Sequence, residues 1–267
     1  IGAPSTPYTL RDAVGTSSAA FGSIFAQLPR ENSSLASLVP TVEYWPVTDS
    51  ADDVETLFDM GDGGDFENTG LNALVQRGIN KIAVFLQVST AMDLVTDLCD
   101  GASYDDATAV AEYMDDQISD KFGYDRNTGY YFYGDNQIFA QDDIQDLYCR
   151  MQTLAKAGKP VIVSTTYTTV ANSKWNIAAG ATVDVVWNLL AKCEDFEALL
   201  PTETQDEINL GDDGALANFP FFFTEGQPDA SGTPMATSLT NAQVNLISAQ
   251  AEYTVRENMD LYAAMFD

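Results

Sequence analysis

No histidine occurs among the 267 residues of this chain. That absence excludes a Ser-His-Asp triad, histidine zinc sites and a histidine general base. Any hydrolytic chemistry must run through carboxylates, a Ser-Asp or Ser-Lys pair, or a group supplied from elsewhere. Basic residues are scarce as well: 12 lysines and arginines face 40 aspartates and glutamates, a formal net charge of −28. Such a surface repels nucleic-acid phosphates and anionic membranes, so nucleic acid is not expected as a partner. It favours solubility and suits saline, acidic or extracellular surroundings. No apolar run reaches the roughly 18 residues of a membrane span. Only three cysteines are present, Cys99, Cys149 and Cys193, and none has the CxxC spacing of a zinc or thioredoxin-like site. The chain has no charged-then-apolar leader and begins at Ile1 without methionine, which raises the expectation of a processed or partial chain.

What is present is enough for a sizeable core. Hydrophobic residues make up 45% and aromatics 11%, and the length suits one large domain or two small ones. Short apolar runs alternate with helical patterns. Lys81 to Val88, "KIAVFLQV", reads as a buried strand. Asp105 to Gly123 has apolar residues at helical spacing and ends on glycine. Asp142 to Gly158 starts with acidic residues and ends "KAG", as capping and the helix dipole favour. Pro160 to Tyr167 follows as an interior strand, and Ala181 to Leu190 is a further strand candidate. One long helix closes the chain, with Thr240 or Asn241 as its cap. Strand and helix in alternation imply an α/β fold with a mostly parallel central sheet flanked by helices. No repeat or linker splits the chain, so residues 1–267 are expected as a single domain. Glu225 to Pro234 is the clearest loop.

The stretch from Phe58 to Gly70 crowds acidic residues and glycines together ahead of a helical segment. Gly61, Gly63 and Gly64 surround Asp62, and glycines admit positive φ and close approach of other groups. An acidic turn that caps the helix explains this composition, and so does a carboxylate held rigidly for chemistry. A calcium loop does not, because "DMGDGGDFEN" lacks the D-x-[DN]-x-[DN]-G spacing.

"GDGGDFENTGLNALVQRGINKIAVF" resembles the Asp-Gly-Gly motif of the patatin, cytosolic phospholipase and fungal phospholipase B (lysophospholipase) superfamily. Asn68, Leu71, Leu74, Arg77, Ile82, Val84 and Phe85 fall where that pattern puts them. "VGTSSAAFGSIFAQL", Val14 to Leu28, is similar to the "G-T-S-S-x-x-F" segment of the same superfamily, and "LTNAQVNLISAQAEYTV" is a third, weaker match. The resemblance implies a patatin-like and cytosolic-phospholipase-like fold, of which this chain is the C-terminal portion of the catalytic domain. It implies a Ser-Asp dyad that needs no histidine and no cofactor or metal. Asp62 takes the aspartate's place, with Gly61, Gly63, Gly64 and Asn68 in support. Asp62 is then expected just after a strand with its carboxylate in a pocket, and Gly63 or Gly64 with φ > 0.

The family's Gly-x-Ser-x-Gly elbow is missing. "GTSSA", Gly15 to Ala19, comes nearest and offers Ser17 as a nucleophile. An elbow needs a strand before it and a helix after, and "YTLRDAV" is a poor strand. In the family this segment lies after the elbow, and only sixteen residues precede Ser17. The implied enzyme is a lipid acyl ester hydrolase whose serine sits on an N-terminal fragment of the same precursor, which acts as a partner. The alternative is a catalytically inactive relative serving as a structural or interaction protein. Glycoside hydrolysis by paired acids is a third reading, with Tyr130 to Gln137 and Trp175 as sugar-stacking aromatics.

Three cysteines allow buried free thiols, or one disulfide with one cysteine left over. Cys99 with Cys149 is the first choice, because both flank helical segments, and a pairing through Cys193 stays open. Asn32-Ser33-Ser34 is a glycosylation sequon and fits a secreted or otherwise extracytoplasmic protein.

Overall fold

A computed structural model describes residues 7–17, 39–44, 56–65, 67–88, 91–124, 135–211, 214–222 and 239–266. The chain divides into two compact units, Ile1–Asn68 and Thr69–Asp267. No composition shift in the sequence announced the division.

In the first unit, helix α1 (Leu10–Ser17) starts where Asp12 Oδ2 accepts the Thr9 amide at 2.9 Å. Strands β1 (Thr41–Tyr44) and β2 (Thr56–Asp59) form a two-stranded antiparallel sheet in which Val42 faces Phe58.

The second unit carries the main core. Helix α2 (Leu71–Gln76) begins where the motif placed it. Strand β3 (Lys81–Leu86), strand β4 (Val161–Thr168) and strand β5 (Thr182–Leu189) form one sheet in the order β3-β5-β4. The fold is therefore mixed α/β with two small sheets. The expected mostly parallel central sheet is corrected: β3 pairs parallel with β5, but β4 pairs antiparallel with it. The reason lies in the connection. A parallel return needs a crossover, usually helical, whereas residues 169–181 hold only turns and the isolated bridges Thr169–Phe139 and Asn172–Ile177, so the chain folds straight back.

Burial corrects the strand roles too. Among the described residues β3 and β4 are the sheet's edges, and β5 is its centre. In β3 only Ile82, Val84 and Leu86 are buried, while Phe85 is 61% exposed and stacks on Tyr262 with ring centres 6.0 Å apart. In β5 the run Val185–Leu189 is buried throughout, as a central strand covered on both faces requires. An apolar run alone does not separate these two cases.

The expected helix from Asp105 to Gly123 is broken in the structure. Helix α3 (Ala107–Glu112) and helix α4 (Asp116–Ser119) are followed by a 3-10 turn at Asp120–Phe122. Asp106 Oδ1 caps α3 through the Thr108 amide, and Asp115 Oδ1 accepts the Gln117 amide at 3.2 Å, restarting the helix after the break. Helix α5 (Asp143–Lys156) matches its sequence pattern closely. Ile144, Leu147, Tyr148 and Met151 form its buried stripe, Asp143 and Asp146 sit in the first turn, and Lys156 in the last. The Lys159 amide bonds back to Leu154, and Gly158 takes φ 66° to close the helix.

Two short helices, α6 (Glu194–Glu197) and α7 (Thr202–Asn209), follow the sheet. The closing helix is two: α8 (Asn241–Arg256) and α9 (Met259–Ala263). Thr240, rather than Asn241, is the cap, in a reciprocal pair with Gln243.

Phe122, Phe139, Tyr167 and Trp187 cluster at the heart of the core, with the Phe139 and Tyr167 rings stacked 4.4 Å apart. A disulfide joins Cys99 to Cys149 on α5, and Cys193 is a buried free thiol. Gln152 of α5, 2% exposed, holds the same loop: its amide donates to the Asp93 and Thr96 carbonyls at 2.7 and 2.8 Å. Among the described residues no helix is long and apolar enough to cross a membrane.

Candidate functional site

Asp62 lies three residues beyond β2, immediately before a 3-10 turn at Gly63–Asp65. Its side chain is half-buried. Oδ1 accepts the Gly64 amide at 2.9 Å, which fixes the carboxylate against its own turn. The Glu67 amide closes the turn onto the Gly63 carbonyl at 2.9 Å. A Cβ at Gly64 would fall 2.8 Å from Asn68 Oδ1 and 3.2 Å from Asp62 Oδ1. Gly64 is thus the point of close approach between the carboxylate and the Asn68 amide. With Oδ1 committed to the turn, Oδ2 is the oxygen that could take a proton.

One expectation about this turn is corrected. Gly63 and Gly64 do not have positive φ, because both lie in the right-handed 3-10 turn; the left-handed residue is Gly70, with φ 73° at the start of α2. Gly64 is required instead by the lack of room for a side chain. A cavity of about 600 Å³ in the first unit is bounded by Tyr8, Arg11, Asp12, Thr16, Val42 and Leu57 among others, and Asp62 is not part of its lining. Gly61 precedes Asp62 as an exposed residue.

Ser17 is the last residue of α1. Helix leads into it rather than strand, so the strand-turn-helix of an elbow is not formed at Gly15–Ser17. Asn32 lies outside the described residues, as do Tyr130 to Gly134 of the aromatic stretch.

The structure also assembles a polar cluster that nothing in the sequence singled out. Lys121 and Asp120 are fully buried side by side, with Lys121 Nζ 3.0 Å from each carboxylate oxygen. Asn136 Nδ2 donates to Asp120 Oδ2 at 3.1 Å, and Asn72 Nδ2 donates to the Asn136 carbonyl at 3.0 Å. The Trp175 indole donates to Asn136 Oδ1 at 2.9 Å. Full burial of lysine is rare without a partner, and here the carboxylate supplies one. Asn72 Oδ1 and Ser119 Oγ are buried without a hydrogen-bond partner among the described residues. The cluster ties α2, the Asp120–Phe122 turn and the Asn136 and Trp175 segments together. With Asp120 and Lys121 closed to solvent, it acts as a scaffold. A continuous helix over residues 105–123 gave no hint that both charges point inward.

Among the described residues no group of three or more His, Cys, Asp or Glu is placed to hold a metal ion. Compared with models of known families, with curated proteins and with solved structures, the chain shows no significant match.

Proposed function

We propose that the chain carries the proton-accepting part of a serine acyl ester hydrolase acting on lipids, of the patatin and cytosolic phospholipase type. The observation that carries this reading is the Asp62 turn: a half-buried carboxylate just beyond a strand, with one oxygen held by the Gly64 amide and Asn68 beside it. A serine Oγ from an N-terminal part of the precursor attacks the ester carbonyl, and its proton passes to Asp62 Oδ2. The new Oγ–C bond forms, the ester C–O bond breaks, and the proton leaves with the alcohol. Water then releases the acid by the same route. Backbone amides of a glycine-rich loop on that missing part stabilise the oxyanion. On this reading the three-stranded sheet belongs to a larger, mostly parallel one. The extracytoplasmic setting belongs to the same reading, and the Cys99–Cys149 disulfide is compatible with it.

The test is reconstitution. The 267-residue chain alone is expected to be inactive on phospholipid vesicles and p-nitrophenyl esters, and addition of the N-terminal segment to restore hydrolysis. Asp62→Asn should then lower the rate by about 10²–10⁴-fold without changing the circular dichroism spectrum. Zwitterionic vesicles should be hydrolysed in preference to anionic ones, because −28 charges oppose anionic headgroups. Hydrolysis by the chain alone, abolished by Ser17→Ala, would overturn the assignment. One observation favours the second reading, a non-catalytic structural or interaction protein: the 267 residues hold no Gly-x-Ser-x-Gly elbow. No hydrolysis under any reconstitution, with no elbow encoded upstream, would decide for that reading.

A further inference from the structure

Strands β3 and β5 run parallel, and in open α/β sheets small molecules bind outside the carboxyl ends of such strands. Here the chain leaving β3, the chain leaving β5 and the end of α5 part around a cavity of about 330 Å³. Its apolar lining is Ala91, Met92, Leu94, Ala155, Ala191 and Phe221. Its charged lining is Lys156, Lys192 and Glu194. In a chain with 12 basic residues against 40 acidic ones, two lysines on one small cavity are a local exception to the surface.

Each charged group has a defined place. Lys156 Nζ donates to Gln152 Oε1 at 2.8 Å and keeps two further hydrogens. Lys192 Nζ stands 4.0 Å from Glu197 Oε2, too far for a hydrogen bond, so its donors also remain available. Glu194 packs on the turn that ends α5: a Cβ at Gly158 would meet Glu194 Cβ at 2.8 Å and Oε2 at 3.0 Å, and the Asp195 amide donates to the Gly158 carbonyl at 3.0 Å. Two more carboxylates stand nearby. Asp93 accepts the Val95 and Thr96 amides and feels the Lys156 charge. Glu197 is pushed toward its protonated form by burial, against the pull of Lys192. The wall bearing Met92 and Leu94 is clamped to α5 by Gln152 and the Cys99–Cys149 disulfide, so the cavity is pre-formed.

The charges select the ligand. An anion with an apolar tail would face the Glu194 carboxylate. A cation would face two ammoniums. A small zwitterion satisfies both signs, and being neutral overall it is not repelled by the −28 charge of the chain. The volume lies at the lower end of small-molecule sites, about 300–1,000 Å³, and excludes a whole lipid. We propose that this cavity binds a free α-amino acid with an apolar side chain, its carboxylate toward Lys156 and Lys192 and its ammonium toward Glu194.

Isothermal titration calorimetry of the full chain with L-phenylalanine and L-leucine tests this. Both are expected to bind. N-acetyl-L-phenylalanine lacks the ammonium, L-phenylalanine methyl ester lacks the carboxylate and glycine lacks the side chain; each is expected to bind at least about tenfold more weakly. Glu194→Gln should weaken L-phenylalanine about tenfold and leave N-acetyl-L-phenylalanine no weaker, whereas Lys192→Gln should weaken both. Leu94→Trp, at a half-exposed wall position, should block binding while the near-ultraviolet circular dichroism stays otherwise native. Tighter binding of octanoate than of phenylalanine would overturn the proposal in favour of a fatty carboxylate site. Tighter binding of the methyl ester, or no heat from any probe at millimolar concentration, would overturn it as well. The cavity lies wholly within Thr69–Asp267 and Asp62 within Ile1–Asn68, so this binding is read apart from ester hydrolysis.

Discussion

At the scale of single residues, burial decides what a charge does. Lys121 and Asp120 hold each other 3.0 Å apart with no exposure, so removing either leaves the other charged in the interior. Lys121→Met is expected to cost about 3–5 kcal/mol, and the double variant Asp120→Asn/Lys121→Met clearly less than the sum of the two single costs. Urea denaturation measures both, and a single-variant loss below about 1 kcal/mol would mean that the pair does not hold the fold. Tyr167 gives a pH dependence. Burial pushes its hydroxyl above the ordinary 10.0, Asp143 and Asp146 push the same way, and hydrogen bonds with Thr165 and Trp187 oppose them. A group whose folded-state value is raised contributes stability that is complete below the unfolded value and is lost as the pH rises toward the folded one. Stability should therefore fall as the pH passes about 10. Tyr167→Phe should flatten that fall while costing about 1 kcal/mol at neutral pH, from the lost Trp187 bond of 3.1 Å. An unchanged alkaline slope would assign the loss to other tyrosines.

At the scale of elements, the cross-link between the loop after β3 and α5 is the clearest handle. Cys99 and Cys149 are 50 residues apart in sequence, and closing a loop of that length stabilises by about 4 kcal/mol in the chain-entropy picture. Replacing both cysteines with serine should cost roughly that amount, measured by denaturant melts, and a loss below about 1 kcal/mol would show that Gln152, together with Gln145, whose amide donates to the Cys99 carbonyl at 3.0 Å, holds the loop without it. Local signals wrote some elements plainly. The stripe Ile144, Leu147, Tyr148 and Met151, with acids at one end and Lys156 at the other, is legible without any tertiary knowledge. The segment from Asp105 to Gly123 shows the limit: its apolar spacing is helical throughout, yet Asp115 caps a new start and breaks it. The Asp62 turn is legible by composition but not by conformation, since a glycine needed for space and one needed for positive φ look alike in sequence.

At the scale of the whole molecule, a net charge of −28 acts against compaction. Salt screens this repulsion, the Debye length falling from about 30 Å at 0.01 M to about 3 Å at 1 M. The melting temperature should therefore rise by a few degrees as sodium chloride is raised across that range. A flat or falling melting temperature, followed by calorimetry, would mean that local ion pairs such as Arg256–Glu252 outweigh the global repulsion.

The sequence by itself determined the exclusions and the local elements. Zero histidines bar this chain's own side chains from whole classes of chemistry, and caps and 3.6-residue periodicity act between residues a few positions apart. The tertiary structure decided the rest. It made β5 the central strand and turned β4 antiparallel, it brought Asn72 to Asn136 and Asn136 to Asp120, and it opened the cavity beside Lys156 and Lys192. The physical reason is range. Strand direction, the partner of a buried charge and the shape of a cavity depend on residues tens of positions apart, whose meeting is set by competition for one common core and leaves no mark on the neighbouring sequence.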